Sequence, residues 1–150
     1  MVHPYPGTFT VIDGLDGVGK GVIIEGLVAH VREQGARVFS LDEYSNTHHY
    51  HPEFDPANAT DRTYHPLDDF DVLVSSEPTY VQIGQAIRDE VIRTNGRLYS
   101  TRMTAQLYAD DRLILHKRIL LPALAAGKHI LQSRCVASSI VYQALQEPAP

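Results

Sequence analysis

The sequence predicts an α/β domain built around a parallel sheet, and three observations predict it. A short β-branched run, Phe9 to Ile12, enters a glycine-rich stretch that opens a helical pattern. A second apolar run, Arg37 to Leu41, follows that helix, and strand, loop, helix, strand is the unit that builds parallel sheets. The third observation is size. With 150 residues, 43% of them hydrophobic and 21% charged, the chain (1–150) suits one domain with its own core and excludes disorder or a coiled rod.

The elements follow in order. Lys20 to Gln34 reads as a helix, with Val22, Ile23, Leu27 and Val31 near helical spacing and Gly35 as its stop. Residues 42–70 change character: Ser45 to Pro52, Asp55-Pro56 and His65-Pro66 are polar and turn-rich, so a long, functional or mobile loop is expected. Asp71 to Ser75 is a third strand. Thr79 is the expected cap of a helix carrying Ile83, Ile87 and Val91, closed by Asn95-Gly96. Thr101 is the expected cap of a longer helix towards Ala126, which Pro122 should kink or divide because it removes a backbone donor. Lys128 to Gln132 is a fourth strand, and Ala137 to Leu145 a last helix.

The glycine-rich stretch carries the first chemistry. Gly14-Leu15-Asp16-Gly17-Val18-Gly19-Lys20 fits the first seven positions of G-x-x-x-x-G-K-[ST], between a strand and a helix as that motif requires. Glycines let backbone N–H groups curl around phosphate oxygens, the helix start points its positive dipole end at them, and Lys20 adds a mobile charge. Gly14, Asp16, Gly17, Val18, Gly19, Lys20 and Gly21 are therefore the candidate phosphate-binding residues. The eighth position is Gly21, so the usual hydroxyl ligand for Mg²⁺ is missing, and Asp16 or Asp13 is the carboxylate left for a metal.

Charge and composition narrow the partners. Thirteen basic against eighteen acidic residues give a net charge of -5, which argues against a general nucleic-acid surface. Cys135 is the single cysteine, so no internal disulfide forms. Neither a signal peptide nor an apolar run near the ~20 residues of a membrane span is visible, so a cytoplasmic protein without membrane contact is expected.

Four segments together resemble the thymidylate kinases. Phe9 to Lys20 looks like the opening of that family. Ser76-Glu77-Pro78-Thr79 with Gly84-Gln85-Ala86-Ile87-Arg88 resembles its E-P motif and G-x-x-I-R helix. Tyr108-Ala109-Asp110-Asp111-Arg112 is similar to its aromatic-A-x-D-R segment, and Ser133 to Gln143 to its D-R-Y-x-x-S-S-x-x-Y-Q segment. The resemblance covers residues 8–146 except the 42–70 loop. It implies a P-loop NTPase-type three-layer sandwich around a parallel sheet, using ATP and Mg²⁺ to phosphorylate a deoxynucleoside monophosphate, dTMP first. Small-molecule nucleotides would be the partners, and a homodimer is what the family implies.

The resemblance also implies roles. Lys20 and the loop glycines would hold the donor phosphates, and Asp16 would lie near phosphates and metal. Asp13, Glu77 and Pro78 would belong to the acceptor site. Tyr108 would stack on the base, Arg112 would reach the monophosphate, and Arg134 would bridge to the transferred group. Ser138, Ser139 and Gln143 would lie beside the nucleoside. The residues alone support part of this. Tyr108 and Arg112 share a helix face at spacing four. A core aromatic for Tyr108 and an ion pair with Asp110 or Asp111 for Arg112 remain open on spacing. Arg134 follows an apolar strand, at the edge where ligands gather in open parallel sheets.

Departures from the pattern shape the alternatives. Ser133 stands where the family carries aspartate, and Cys135 where it carries an aromatic. Gly21 and Ser133 together alter two positions that manage magnesium in the family. It leaves open a nucleotide-binding or regulatory module impaired in catalysis, or a kinase for another nucleotide or nucleoside. Nothing after Gln146 supplies the family's C-terminal lid and last strand, so the expected fold lacks both. Three explanations stand open: a piece of a longer kinase, a lid taken from 42–70, or a module without turnover. His48, His49, His51 and His65 could make a zinc site, but no paired-ligand spacing supports it, and a solvated loop is the expectation.

Overall fold

The computed structural model describes residues 4–60 and 62–146, with side chains as far as Tyr142. Four strands, β1 (Phe9–Ile12), β2 (Val38–Ser40), β3 (Val72–Ser76) and β4 (His129–Ser133), pair in parallel in the order β1-β4-β3-β2. The α/β expectation of a parallel sheet built on the glycine-loop unit therefore holds. Parallel neighbours need long crossovers, and helical segments supply them.

The register matters most for function. Ile12 and Ser76 both align with Ser133, so β1, β3 and β4 end level. Their next residues, Asp13, Glu77 and Arg134, leave the sheet side by side. Two backbone bonds carry the pairing past the strand ends, from Arg134 N–H to Ile12 O at 3.0 Å and from Glu77 N–H to Ser133 O at 3.0 Å.

Helix α1 (Lys20–Glu33) packs on β1 and β4. Its end matches the sequence reading: Gly35 N–H bonds Arg32 O at 2.9 Å and Ala36 N–H bonds Val31 O at 3.0 Å, the paired closure that a left-handed glycine permits.

Residues 42–70 are not the solvated loop that their polarity suggests. Helix α2 (Leu41–His48) starts directly after β2, and Leu41, expected to end the strand, is its first residue. The Ser40 hydroxyl caps it by accepting from Glu43 N–H at 3.2 Å. The rest folds over the β2 edge as an aromatic cluster. Phe39 lies 4.4 Å from the His65 ring and 5.2 Å from Phe70, and Phe54 lies 5.6 Å from Phe70. Arg118 fastens the segment by donating to Pro52 O at 2.9 Å and His51 O at 3.2 Å. His51 is buried with neither ring nitrogen bonded, and burial beside Arg118 pushes its pKa down to about 4. Among the described residues, no group of three or more His, Cys, Asp or Glu could hold a metal.

The later helices differ from expectation at their starts. Helix α3 (Gln82–Ala86) begins after Val81 and runs on as a π-helical turn, Ile87–Ile92. Thr79 does not cap it. Its hydroxyl and its N–H both go to Asp111, at 2.6 and 2.8 Å. Helix α4 (Thr101–Leu115) is capped by Ser100 rather than Thr101, through Met103 N–H at 3.2 Å. The helix continues through a π-helical turn, His116–Leu120, into α5 (Leu121–Ala125). Pro122 therefore divides it at a change of register instead of ending it, since a proline ring crowds the carbonyl four residues back. Helix α6 (Val136–Gln146) begins one residue earlier than expected.

The core lies where Leu73 of β3 and Ile130 of β4 meet Leu115, Ile119, Leu120, Ala123 and Leu124 of the long helix, with Leu41, Phe54 and Phe70 closing the β2 side. No helix among the described residues is long and apolar enough to cross a membrane.

Candidate active site

A cavity of about 230 Å³ opens at the carboxyl edge of β1, β3 and β4. Eight of the residues singled out from sequence line it: Asp16, Glu77, Pro78, Tyr108, Arg112, Arg134, Ser138 and Ser139. The remaining wall comes from Val91, Ile92, Thr104, Cys135 and Tyr142, to which the sequence reading gave no site role.

The glycine loop sits beside it. Gly14, Gly17 and Gly19 have φ of 153°, 79° and 87°, the last as the residue before α1. A side chain at Gly19 would be strained in that left-handed conformation, which is what turns the loop into the helix start. Lys20 is buried, and its Nζ donates back to Gly14 O at 3.0 Å and Leu15 O at 2.6 Å. Val18 points outward and is exposed, and Gly21 has open space where a side chain would be.

Asp13 lies outside the cavity wall. Its Oδ1 accepts from Gly14 N–H at 2.8 Å and the Ser138 hydroxyl at 2.5 Å, and its Oδ2 from Ser138 N–H at 3.2 Å. Burial raises its pKa, but the Ser138 hydroxyl and the backbone donors outweigh this and hold the carboxyl below its usual value. The residue thus ties β1 to the first turn of α6. Asp16 is 77% exposed but paired with Arg134 and Tyr142, whereas Asp13 is held by Ser138 and Gly14.

Two arginines face the cavity, each with a carboxylate. Arg112 donates from Nε to Glu77 Oε2 at 2.7 Å and from Nη2 to the Ser139 hydroxyl at 2.7 Å. Its partner is therefore neither Asp110 nor Asp111, the neighbours that helical spacing offered. Asp111 is buried against Thr79, and Asp110 accepts from Gln106 at 2.8 Å. Burial pushes the Glu77 carboxyl up, opposed by Arg112 and then by the Gln132 amide. Arg134, at φ 67°, pairs with Asp16, donates to the Ser138 hydroxyl at 3.2 Å and lies 5.5 Å from the Tyr142 ring centre. The Tyr142 hydroxyl accepts from Asp16 N–H at 3.1 Å and donates to Asp16 Oδ2 at 3.2 Å.

The turn after β3 is built for rigidity. Arg88 donates to Thr79 O at 2.9 Å and to Pro78 O, and stacks 3.7 Å over Tyr80. Gly84 lies so close beneath that a Cβ there would stand 2.2 Å from Thr79 Oγ1 and 2.5 Å from its carbonyl oxygen. The half-buried Tyr108 has its phenol pushed up by burial. Burial also raises the Cys135 thiol. The Gln143 side chain lies outside the described residues, although its backbone belongs to α6.

A parallel sheet whose first strand feeds a G-x-x-x-x-G-K loop into a helix, with cations at the carboxyl edge, defines a P-loop α/β protein. The model of the thymidylate kinase family matches residues 57–148, more than half of the chain. The chain belongs to the thymidylate kinase family. It is 29% identical over 140 residues to a probable thymidylate kinase of Pyrococcus abyssi, covering 91% of this chain and 52% of the relative. A thymidylate kinase of a Geobacillus species is 29% identical over 137 residues, covering 91% and 49% respectively. The chain thus spans about half the length of the curated relatives it matches. The crystal structure of the thymidylate kinase from Ehrlichia chaffeensis superposes with a TM-score of 0.58 at 18% identity, covering 91% of this chain and 58% of that one, and shares its fold.

Proposed function

We propose that the chain acts as a nucleoside monophosphate kinase, moving the γ-phosphoryl group of ATP onto dTMP to give dTDP and ADP. The observation that carries this reading is the cavity beside the glycine loop that Tyr108, Arg112 and Arg134 share. A phosphate oxygen of the acceptor would attack the γ-phosphorus in line as its bond to the ADP oxygen breaks. Positioning and charge neutralisation do most of the work in such transfers.

The loop would hold the triphosphate of ATP. Its glycines turn the backbone inward, Gly17 and Gly19 have open space at the Cβ position, and α1 starts there. Lys20 would exchange its two loop carbonyls for phosphate oxygens. Magnesium bound with ATP would neutralise the transferring phosphates. Asp16 is the carboxylate within reach, and Mg²⁺ commonly takes one or two carboxylates with phosphate and water completing its shell. On the acceptor side, Tyr108 would stack on the base and Arg112, Ser138 and Ser139 would line the nucleotide. Gln143 is assigned the same neighbourhood through the resemblance alone. Arg134 would leave Asp16 for the phosphates between which transfer occurs. A cytoplasmic setting and a homodimer stay with this proposal.

A second reading has its own observation. Gly21 and Ser133 remove two magnesium-managing groups, and Asp16 is already paired with Arg134. Those features favour nucleotide binding without turnover, independent of Mg²⁺. The assay that separates them incubates the protein with ATP, Mg²⁺ and each deoxynucleoside monophosphate in turn. The kinase reading expects dTDP, formed faster than the other diphosphates. Nucleotide binding by calorimetry with no diphosphate from any acceptor would establish the second reading. A faster product from another acceptor would reassign the substrate.

A further inference from the structure

We propose that Gln132 is a positioning residue that sets both cavity arginines at once, Arg112 through the Glu77 carboxylate and Arg134 through its backbone carbonyl. The inference rests on the reading of this cavity as the nucleotide site.

Gln132 is the fourth residue of β4 and is fully buried. A buried primary amide must have its polar atoms bonded, and this one does. Its Nε2 donates to Glu77 Oε1 at 2.8 Å and to Arg134 O at 3.0 Å, while its Oε1 accepts from the Ser75 hydroxyl at 3.1 Å. The orientation is not arbitrary. A carboxylate and a carbonyl only accept, so only the NH₂ end can face them, leaving the oxygen to Ser75.

The two oxygens of Glu77 are divided between two partners. Oε2 takes Arg112, and Oε1 takes Gln132. Without the amide, Oε1 would keep only a more distant neighbour, His116 Nε2 at 4.0 Å, which burial and Arg112 hold towards its neutral form. Asp111 and Cys135 are the remaining titratable groups whose charge bears on Glu77. The carboxylate would then be free to rotate, and the Arg112 fork would turn with it. On its other side, Gln132 anchors the carbonyl of a residue held at φ 67°, a conformation a bulky side chain rarely adopts. That strained backbone aims the Arg134 guanidinium at the glycine loop. A shorter or apolar residue in β4 would satisfy the strand but neither arginine.

The test compares the whole protein with Gln132→Met, which keeps the length and removes the donor, and with Ser75→Ala, which only loosens the amide. The first readout is the carboxyl ¹³C titration of Glu77 without ligand. Its midpoint is expected to move upward in Gln132→Met, and by less in Ser75→Ala, because a donor to the charged form is lost. The second readout is dTMP affinity by calorimetry, expected to weaken by on the order of tenfold in Gln132→Met. In a Glu77→Gln background the same change should cost distinctly less, since partners in one network are not additive. A Glu77 midpoint that does not move in either variant overturns the inference, even if affinity falls, because simple loosening of the strand would leave that titration in place. Should Gln132→Met fail to fold, Ser75→Ala decides on the same readout. If wild-type protein binds no dTMP while the Glu77 midpoint moves as expected, the nucleotide reading fails and the hold on Glu77 stands.

Discussion

The two arginine–carboxylate pairs at the cavity are alike in chemistry and opposite in setting. Arg112 and Glu77 have side chains 16% and 4% exposed, and both have further partners inside the fold. Arg134 is 20% exposed but its partner Asp16 is 77% exposed, on the rim of the glycine loop. Removing one member of a buried pair strands the other charge, whereas an exposed pair contributes little to stability. The same pairing therefore serves as a fixed frame on the side proposed for the acceptor, and as an exchangeable contact on the side proposed for the donor phosphates.

Variants can break this contrast in a graded way. Glu77→Ala should cost the most, about 3–5 kcal/mol in urea unfolding, because Arg112 is left buried and unpaired. A loss below about 1 kcal/mol would place that pair with the surface kind. Gly84→Ala comes next. Its new Cβ meets Thr79 backbone as well as side chain, so α3 must shift and carry the Glu77 turn with it, for about 1–3 kcal/mol by the same measurement. Lys20→Met should cost about 1 kcal/mol of stability, from two loop carbonyls losing their donor, and should weaken ATP binding at least about tenfold by calorimetry. Asp16→Asn should have the smallest effect, within about 0.5 kcal/mol on unfolding. It should leave or improve ATP affinity without Mg²⁺, since Arg134 is released, and a marked loss there would show that Asp16 is part of the frame.

What was legible in the sequence depended on how far apart the interacting residues lie. The glycine loop, α1 and its closure at Gly35 are local devices, and each is found where the spacing predicts it. Tyr108 and Arg112 do reach one cavity, as their shared helix face suggested. Helix α2 had a local signal too, Ser40 followed three residues later by Glu43. It was masked by the polar, histidine-rich run after it, whose rings pack on Phe39 and Phe70 through tertiary contact. The partner of Arg112 could not be read locally. Asp110 and Asp111 stood nearest in sequence, but the fold supplies Glu77, 35 residues away, because β3 ends level with β4. Gln132 went unremarked, and Tyr142 stood in its motif without a role, for a related reason. A glutamine in a strand and a tyrosine in a helix look ordinary until the register sets them against Glu77 and Asp16.

The central claim is that the cavity recognises the phosphate of a nucleoside monophosphate through both of its arginines, Arg112 on its fixed frame and Arg134 once it leaves Asp16. Calorimetric titration of dTMP and of thymidine into the wild-type protein and Arg134→Met tests it most directly. The account predicts that wild-type protein binds dTMP at least about tenfold more tightly than thymidine, as expected for a charge-assisted contact. It further predicts that Arg134→Met narrows that difference, with Arg112 retaining part of it, while leaving thymidine unchanged. Equal affinity for the two ligands in wild-type protein, or a dTMP preference undiminished in Arg134→Met, would contradict it.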